Sequence, residues 1–200
     1  LQRTAHEALA GRLGSVVLLD VQTGEVLVLA SNPNYDPNQL FTLNPEERDT
    51  AVVYWQSLLG DPDRPLVLRA TDGLFTPGST FKTVAAATLI DVGIAGPDDV
   101  YLDDGSLDIN GRVIVENNRP DPTVDEWTLR EAVAWSLNVV FAQVGLQIGP
   151  TLLREYGDRY GFGSELPFDV PVAPSQLAND IEFLDDPVAL AETAFGQGQL

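Results

Sequence analysis

Thr76-Pro77-Gly78-Ser79-Thr80-Phe81-Lys82 leads into the most regular helical pattern of the chain, which runs from Ser79 to about Val92 and closes at Gly93. Pro77 and Gly78 force a turn, so Ser79 falls at or beside the helix N-terminus. There the unpaired N–H groups and the positive end of the macrodipole favour developing negative charge. Residues three apart share a helix face, which places Lys82 one turn below Ser79. A neutral lysine amine in a water-poor site can take the serine proton, and the resulting ammonium can return it to a leaving group. Lowering its pKa from about 10.4 towards 7 costs several kcal/mol of desolvation, at about 1.4 kcal/mol per unit. An N-capping serine followed by a surface lysine has the same spacing, so this pattern gains weight only from its surroundings.

Composition supplies part of that weight. The eleven basic residues are ten arginines and one lysine, Lys82, and the single histidine, His6, sits near the N-terminus. A Ser-His-Asp triad would have to recruit that terminal histidine, and histidine-based metal sites are starved of ligands. Zero cysteines exclude disulfides, zinc-thiolate sites and cysteine nucleophiles. A nucleophilic enzyme of this composition uses Ser or Thr, with a carboxylate or Lys82 as base. Arginine keeps its proton at any reachable pH whereas a buried lysine can lose it, so one lysine among arginines fits a group that must deprotonate.

Thirty acidic residues against eleven basic ones give a net charge of −19, which disfavours nucleic-acid and anionic-membrane surfaces. The length of 200 residues and hydrophobic fraction of 44% suit one folded domain or a piece of a larger one. No apolar run approaches the roughly 20 residues of a membrane helix, and no signal peptide leads the chain. Without any Met, the chain is expected to be an excised or processed fragment, with any anchor outside it.

Around the central helix the punctuation is clear. Residues 15–31 (SVVLLDVQ, Thr23-Gly24, EVLVLAS) read as an apolar β-hairpin expected to be covered by helices. Asn44-Pro45-Glu46-Glu47 opens a helix to about Leu59, ending at Gly60. Residues 94–127 read as loops with a small hairpin around Ser106 to Val115. Thr128-x-x-Glu131 is a capping box opening a helical stretch through Val144. Pro150 begins another helix to about Tyr160, and Asp186-Pro187 opens a last one before Gly196.

Within AVAWSLNVVFAQVG, Ser136-Leu137-Asn138 is a second candidate element. On a continuous helix, residues two apart point to nearly opposite sides. Both polar side chains reach one pocket only if the helix breaks; otherwise they are two polar residues on an amphipathic helix. Periodicity favours neither.

The combination of S-x-x-K with a following S-x-N resembles the penicillin-binding protein transpeptidase domain of class B type, a penicillin-recognising serine acyltransferase family. The likeness extends to Gly14-Ser-Val-Val-Leu-Leu-Asp-Val-Gln-Thr-Gly-Glu-Val-Leu, Ala30-Ser-Asn-Pro-Asn-Tyr-Asp-Pro-Asn38, Arg69-Ala-Thr, Pro77 to Thr83, Phe141 to Gly145, Tyr160-Gly-Phe-Gly163 and Gly196-Gln-Gly198, in that order. It implies an α/β (α+β) penicillin-binding-protein/β-lactamase-like fold, an antiparallel sheet flanked by helices with an all-helical half. Residues 1–200 would form a partial domain with the hairpin at 15–31, the active-site helix at 79–92 and a helical half at 128–160.

By this resemblance Ser79 attacks the D-Ala-D-Ala carbonyl of a peptidoglycan stem peptide or a β-lactam ring, with Lys82 as base for acylation. Ser136 relays the proton to the leaving group, Asn138 holds Lys82 and the substrate amide, and the Ser79 N–H forms half of the oxyanion hole. Gly78 and Thr80 beside Ser79, and Trp135 beside Ser136, are substrate-binding candidates. No metal or organic cofactor is implied. A parent protein anchored at the extracytoplasmic face of a bacterial membrane is expected.

Two departures stand out. Leu68 occupies a position where the family often has Asn. The family's K-T-G motif is absent, as Lys82 is the only lysine; we read this as truncation, which predicts little turnover by the isolated chain. The hairpin would then keep an open apolar edge inviting self-association. A class A β-lactamase would need a deacylating Glu, and Glu165, the nearest by position, lacks an Asn partner in Glu165-Leu166-Pro167. A β-lactam sensor or non-catalytic module of the same fold is the alternative. The pairs Asp98-Asp99, Asp103-Asp104 and Asp185-Asp186 lack calcium-loop spacing and read as solvated loop charge.

Overall fold

A computed structural model describes residues 1–199, which divide into two compact units. Residues 1–74 and 168–173 form the first. It begins with α1 (Gln2–Leu9), followed by the antiparallel pair β1 (Gly14–Leu19) and β2 (Val26–Asn32). Asp20 builds the connecting turn, its carboxylate accepting from the N–H groups of Gln22 and Thr23. The apolar hairpin is buried on both faces at the end away from its turn and exposed near the turn. Val28 and Ala30 pack with Ala5 and Leu9 of α1, while Val17, Leu18 and Leu19 remain exposed. The expectation of helical cover thus holds for part of the hairpin's length: apolar β-branched runs mark strands but do not specify how much of them is buried.

A helix α2 (Arg48–Gly60) follows a 3-10 turn at Pro45–Glu47. Asn44 caps this turn, accepting from Glu46 N–H. A short α3 (Arg69–Asp72) is tied to the hairpin by Ala70 N–H donating to the buried Ser31 hydroxyl at 2.9 Å.

The second unit comprises residues 75–167 and 174–200. A 3-10 turn, Gly78–Phe81, leads into α4 (Lys82–Asp91). The segment read as loops holds two small ladders. Strand β3 (Val100–Leu102) pairs antiparallel with β6 (Glu126–Thr128), and β4 (Ser106–Ile109) pairs with β5 (Arg112–Val115) across an Asn110-Gly111 turn. Three-residue strands carry too little alternation to stand out in a sequence, which is why β3 and β6 were not anticipated.

The Thr128–Glu131 capping box forms in full and starts α5 (Leu129–Trp135). Next, α6 spans Asn138–Arg159 with a non-helical break at Gly149 before Pro150, and α7 spans Pro187–Ala194. Helix α6 packs on both α4 and α7 around a core that includes Phe81, Leu89, Leu137, Phe141, Leu153 and Leu190. The α6–α7 crossing is close enough that a Cβ on Gly145 would lie 2.6 Å from the Cβ of Ala194. The molecule is a mixed α/β protein with helices around small antiparallel ladders.

Candidate active site

The residues singled out around the two motifs all belong to the second unit. Ser79 sits exposed in the 3-10 turn, and Lys82 follows at the first position of α4 with only 2% of its surface exposed. Gly78 has φ +57°, a left-handed conformation that glycine adopts freely. Its N–H donates to the carbonyl of Gly196 at 3.0 Å. A Cβ on Gly196, itself at φ +83°, would collide with the Gly78 carbonyl. Two glycines therefore let the chain beyond α7 lie flush against the turn that carries Ser79.

The second motif lies where the helical stretch breaks. Ser136 ends α5 in the left-handed region at φ 60°, ψ 47°, and Leu137 is extended before α6 begins at Asn138. The break resets the helical phase, and Ser136 and Asn138 then reach the same point. That point is the Lys82 ammonium. Lys82 Nζ donates to the Ser136 carbonyl at 2.6 Å, to Ser136 Oγ at 3.0 Å and to Asn138 Oδ1 at 2.8 Å. Its three donors match three acceptors, and the ring of Phe141 lies 5.5 Å away. Burial pulls the Lys82 pKa down to about 8 from 10.5, against the carboxylate of Glu116, which acts in the opposite direction. Desolvation prevails because the amine is walled in by apolar core while its hydrogen-bond partners are uncharged.

Other predicted positions lie apart from this cluster. Thr80 is exposed and its hydroxyl donates to the Pro77 carbonyl at 2.7 Å, tightening the turn. Trp135 is 50% exposed at the end of α5. Glu165 is exposed on a loop. Among the described residues no acidic cluster is arranged to hold a metal; Asp98 and Asp185 pair instead with Arg130 and Arg154, and Asp186 caps α7. Beside Asn138 opens a groove of about 320 Å³ between β5 and the 195–198 segment, with Arg112 bridged to Glu192 at 2.9 Å along its wall.

Sequence reasoning overlooked Glu116 and Asn118. Glu116 is buried at the end of β5, and Asn118 donates through Nδ2 to the Ser136 carbonyl at 2.9 Å. Neither stands at a diagnostic spacing from the motifs, and only a lone carboxylate closing the apolar run Val113-Ile114-Val115 hinted at a buried role.

A buried lysine of lowered pKa, clasped by a serine and an asparagine one turn below an exposed serine, is the arrangement of a serine acyltransferase. The profile of the penicillin binding protein transpeptidase domain matches residues 14–200, and the chain belongs to that family. It is 35% identical over 188 residues to the peptidoglycan D,D-transpeptidase PbpA of Mycobacterium tuberculosis, covering 92% of this chain and 37% of that protein. It is 31% identical over 163 residues to the peptidoglycan D,D-transpeptidase MrdA of Escherichia coli, covering 82% of this chain and 25% of MrdA. The fold superposes on the imipenem acyl-enzyme complex of penicillin-binding protein A from M. tuberculosis with a TM-score of 0.87 and 30% identity, over 100% of this chain and 45% of that one. The chain therefore spans less than half the length of these relatives.

Proposed function

We propose that this chain carries the acylation centre of a peptidoglycan D,D-transpeptidase. The Ser79 hydroxyl adds to the carbonyl of the penultimate D-Ala of a stem peptide, and its proton passes to neutral Lys82. The Ser79 N–H, near the start of the Gly78–Phe81 turn, stabilises the oxyanion, the Gly78 N–H being taken by the Gly196 carbonyl. The Lys82 proton then moves through Ser136 Oγ to the departing D-Ala nitrogen, leaving an ester on Ser79. An amine of a second stem peptide completes the transfer, and a β-lactam stops at the ester because its leaving group stays tethered. Asn138 orients Lys82 and the substrate amide.

The observation that carries this reading is the three-bonded, buried Lys82 below an exposed Ser79. Intact-mass spectrometry after incubation with a penicillin tests it, on this chain and on a polypeptide extended to the length of the relatives. One stable adduct, abolished by Ser79→Ala, supports the reading. An extended protein that never acylates would instead indicate a binding or structural role.

The same reading puts forward the extracytoplasmic face of a bacterial membrane, where peptidoglycan is cross-linked, as the working site of the parent protein. Labelling of intact cells by a membrane-impermeant fluorescent penicillin checks this. The exposed Val17, Leu18 and Leu19 of β1 support self-association of the isolated chain through that strand. A monodisperse monomer by light scattering would refute it.

A further inference from the structure

We infer that Glu116 is a positioning residue of the acylation centre, which with Asn118 holds the α5–α6 break in the shape that delivers Ser136 and Asn138 to Lys82. This inference rests on the serine acyltransferase reading above.

The Glu116 side chain is buried and its two oxygens are divided between the two sides of the break's support. Oε2 accepts from the N–H of Val139 at 3.0 Å, at the second position of α6. Oε1 accepts from the N–H groups of Asn117 and Asn118 at 2.9 and 2.8 Å. Asn118, fixed in this way, donates to the Ser136 carbonyl that also receives Lys82. One carboxylate thus caps the start of α6, where a negative charge opposes the helix dipole favourably, and also anchors the group that steadies the left-handed Ser136. Leu137, the N-cap residue of α6, makes no side-chain cap, so Glu116 does this from 23 residues away.

The same carboxylate is the charged group that bears on Lys82. Its charged neighbour is Asp103, buried just beyond β3 and itself faced by Asp104 and by Arg119, whose guanidinium donates to the Asp103 carbonyl at 2.8 Å. Burial raises the Asp103 pKa, with Glu116 adding to the rise.

Because Lys82 is the only lysine, Cε-¹³C-lysine labelling of this chain gives one signal whose titration reads the amine directly, whether or not the protein turns over. Wild-type chain is expected to titrate near pH 8. Glu116→Gln is expected to move the midpoint to lower pH, since the charge that favours the ammonium is gone. Its amide NH₂ can no longer accept from both backbone sides, and penicillin acylation of the extended protein should fall roughly 10- to 100-fold. Glu116→Asp keeps the charge but is one methylene short: the midpoint stays with wild type while acylation remains slow. Asn118→Ala, at an exposed position, should slow acylation several-fold without moving the midpoint. A folded Glu116→Gln protein with wild-type midpoint and wild-type acylation overturns the assignment, as does full activity of Glu116→Asp and Asn118→Ala together. Failure of the wild-type extended protein to acylate would remove the functional reading, while the lysine titration would still decide whether Glu116 sets the state of Lys82.

Discussion

Lys82 Nζ meets Ser136 through two oxygens, the carbonyl at 2.6 Å and the hydroxyl at 3.0 Å, and the two differ in chemical freedom. The carbonyl only accepts, whereas the hydroxyl can turn and donate. An ammonium fills all three acceptors around it, including Asn138 Oδ1. A neutral amine has two N–H groups, enough for the carbonyl and Asn138, and a lone pair to which the Ser136 hydroxyl can offer its own proton. Ser136 is therefore the one partner able to follow Lys82 through both protonation states.

Ser136→Ala should leave Lys82 held by the carbonyl and Asn138 but remove the proton path. We expect the penicillin acylation rate to fall by about 10²-fold or more with little loss of folding stability, measured by stopped-flow kinetics and thermal melting.

The acylation rate constant should rise with pH and level off, with a midpoint near 8 set by loss of the Lys82 proton. Asn138→Asp would add a carboxylate beside the amine, favour the ammonium, and move the rising limb to higher pH. A limb that moves the other way, or not at all, refutes Lys82 as the base.

Stability gives the same group a second signature. Lys82 binds its proton less tightly in the fold than in the unfolded chain, so between about pH 8 and 10.5 the unfolded state holds more protons and stability rises with pH. The lowered pKa corresponds to about 3 kcal/mol, absent below the folded midpoint and fully present above the unfolded one. Urea titrations of wild type and Lys82→Met across this window should differ by that rise, a comparison that cancels contributions common to both proteins.

Gly196→Ala adds one methyl where the Gly78 carbonyl lies, at a residue with φ +83°. Positive φ costs an L-residue roughly 1–2 kcal/mol, and forcing apart two packed backbones costs about 1–3 kcal/mol more. We expect a marked drop in melting temperature and, since the displaced turn carries Ser79, slower acylation in whatever fraction folds.

Much of this architecture was legible in the chain itself. Gly78 and Gly93 bracket the helix of Lys82, Thr128 and Glu131 form the expected box, and Pro187 opens α7 behind Asp186. These are local signals, written in the residues that form them. The break at Ser136 was less so: nothing in AVAWSLNVV forbids a continuous helix, and only the requirement that Ser136 and Asn138 converge implied it. The role of Glu116 was not legible beyond its place at the end of an apolar run, because its partners are backbone N–H groups of Asn117, Asn118 and Val139, and a backbone donor leaves no mark in sequence. The exposed turn end of β1 escaped for a related reason, since burial belongs to the assembled layers and not to the strand.

The interruption of α6 at Gly149 separates the helix mechanically. Pro150 has no N–H to carry the ladder across, and Gly149 takes up the turn at φ 75°. Residues 138–148 and 150–159 are therefore two helical segments that communicate through side chains rather than through one ladder: Leu153 of the outer segment shares the core with Phe141, and Tyr156 donates to Asp91 at the far end of the helix that begins at Lys82. A change in the outer segment reaches the clasp on Lys82 only by way of that packing.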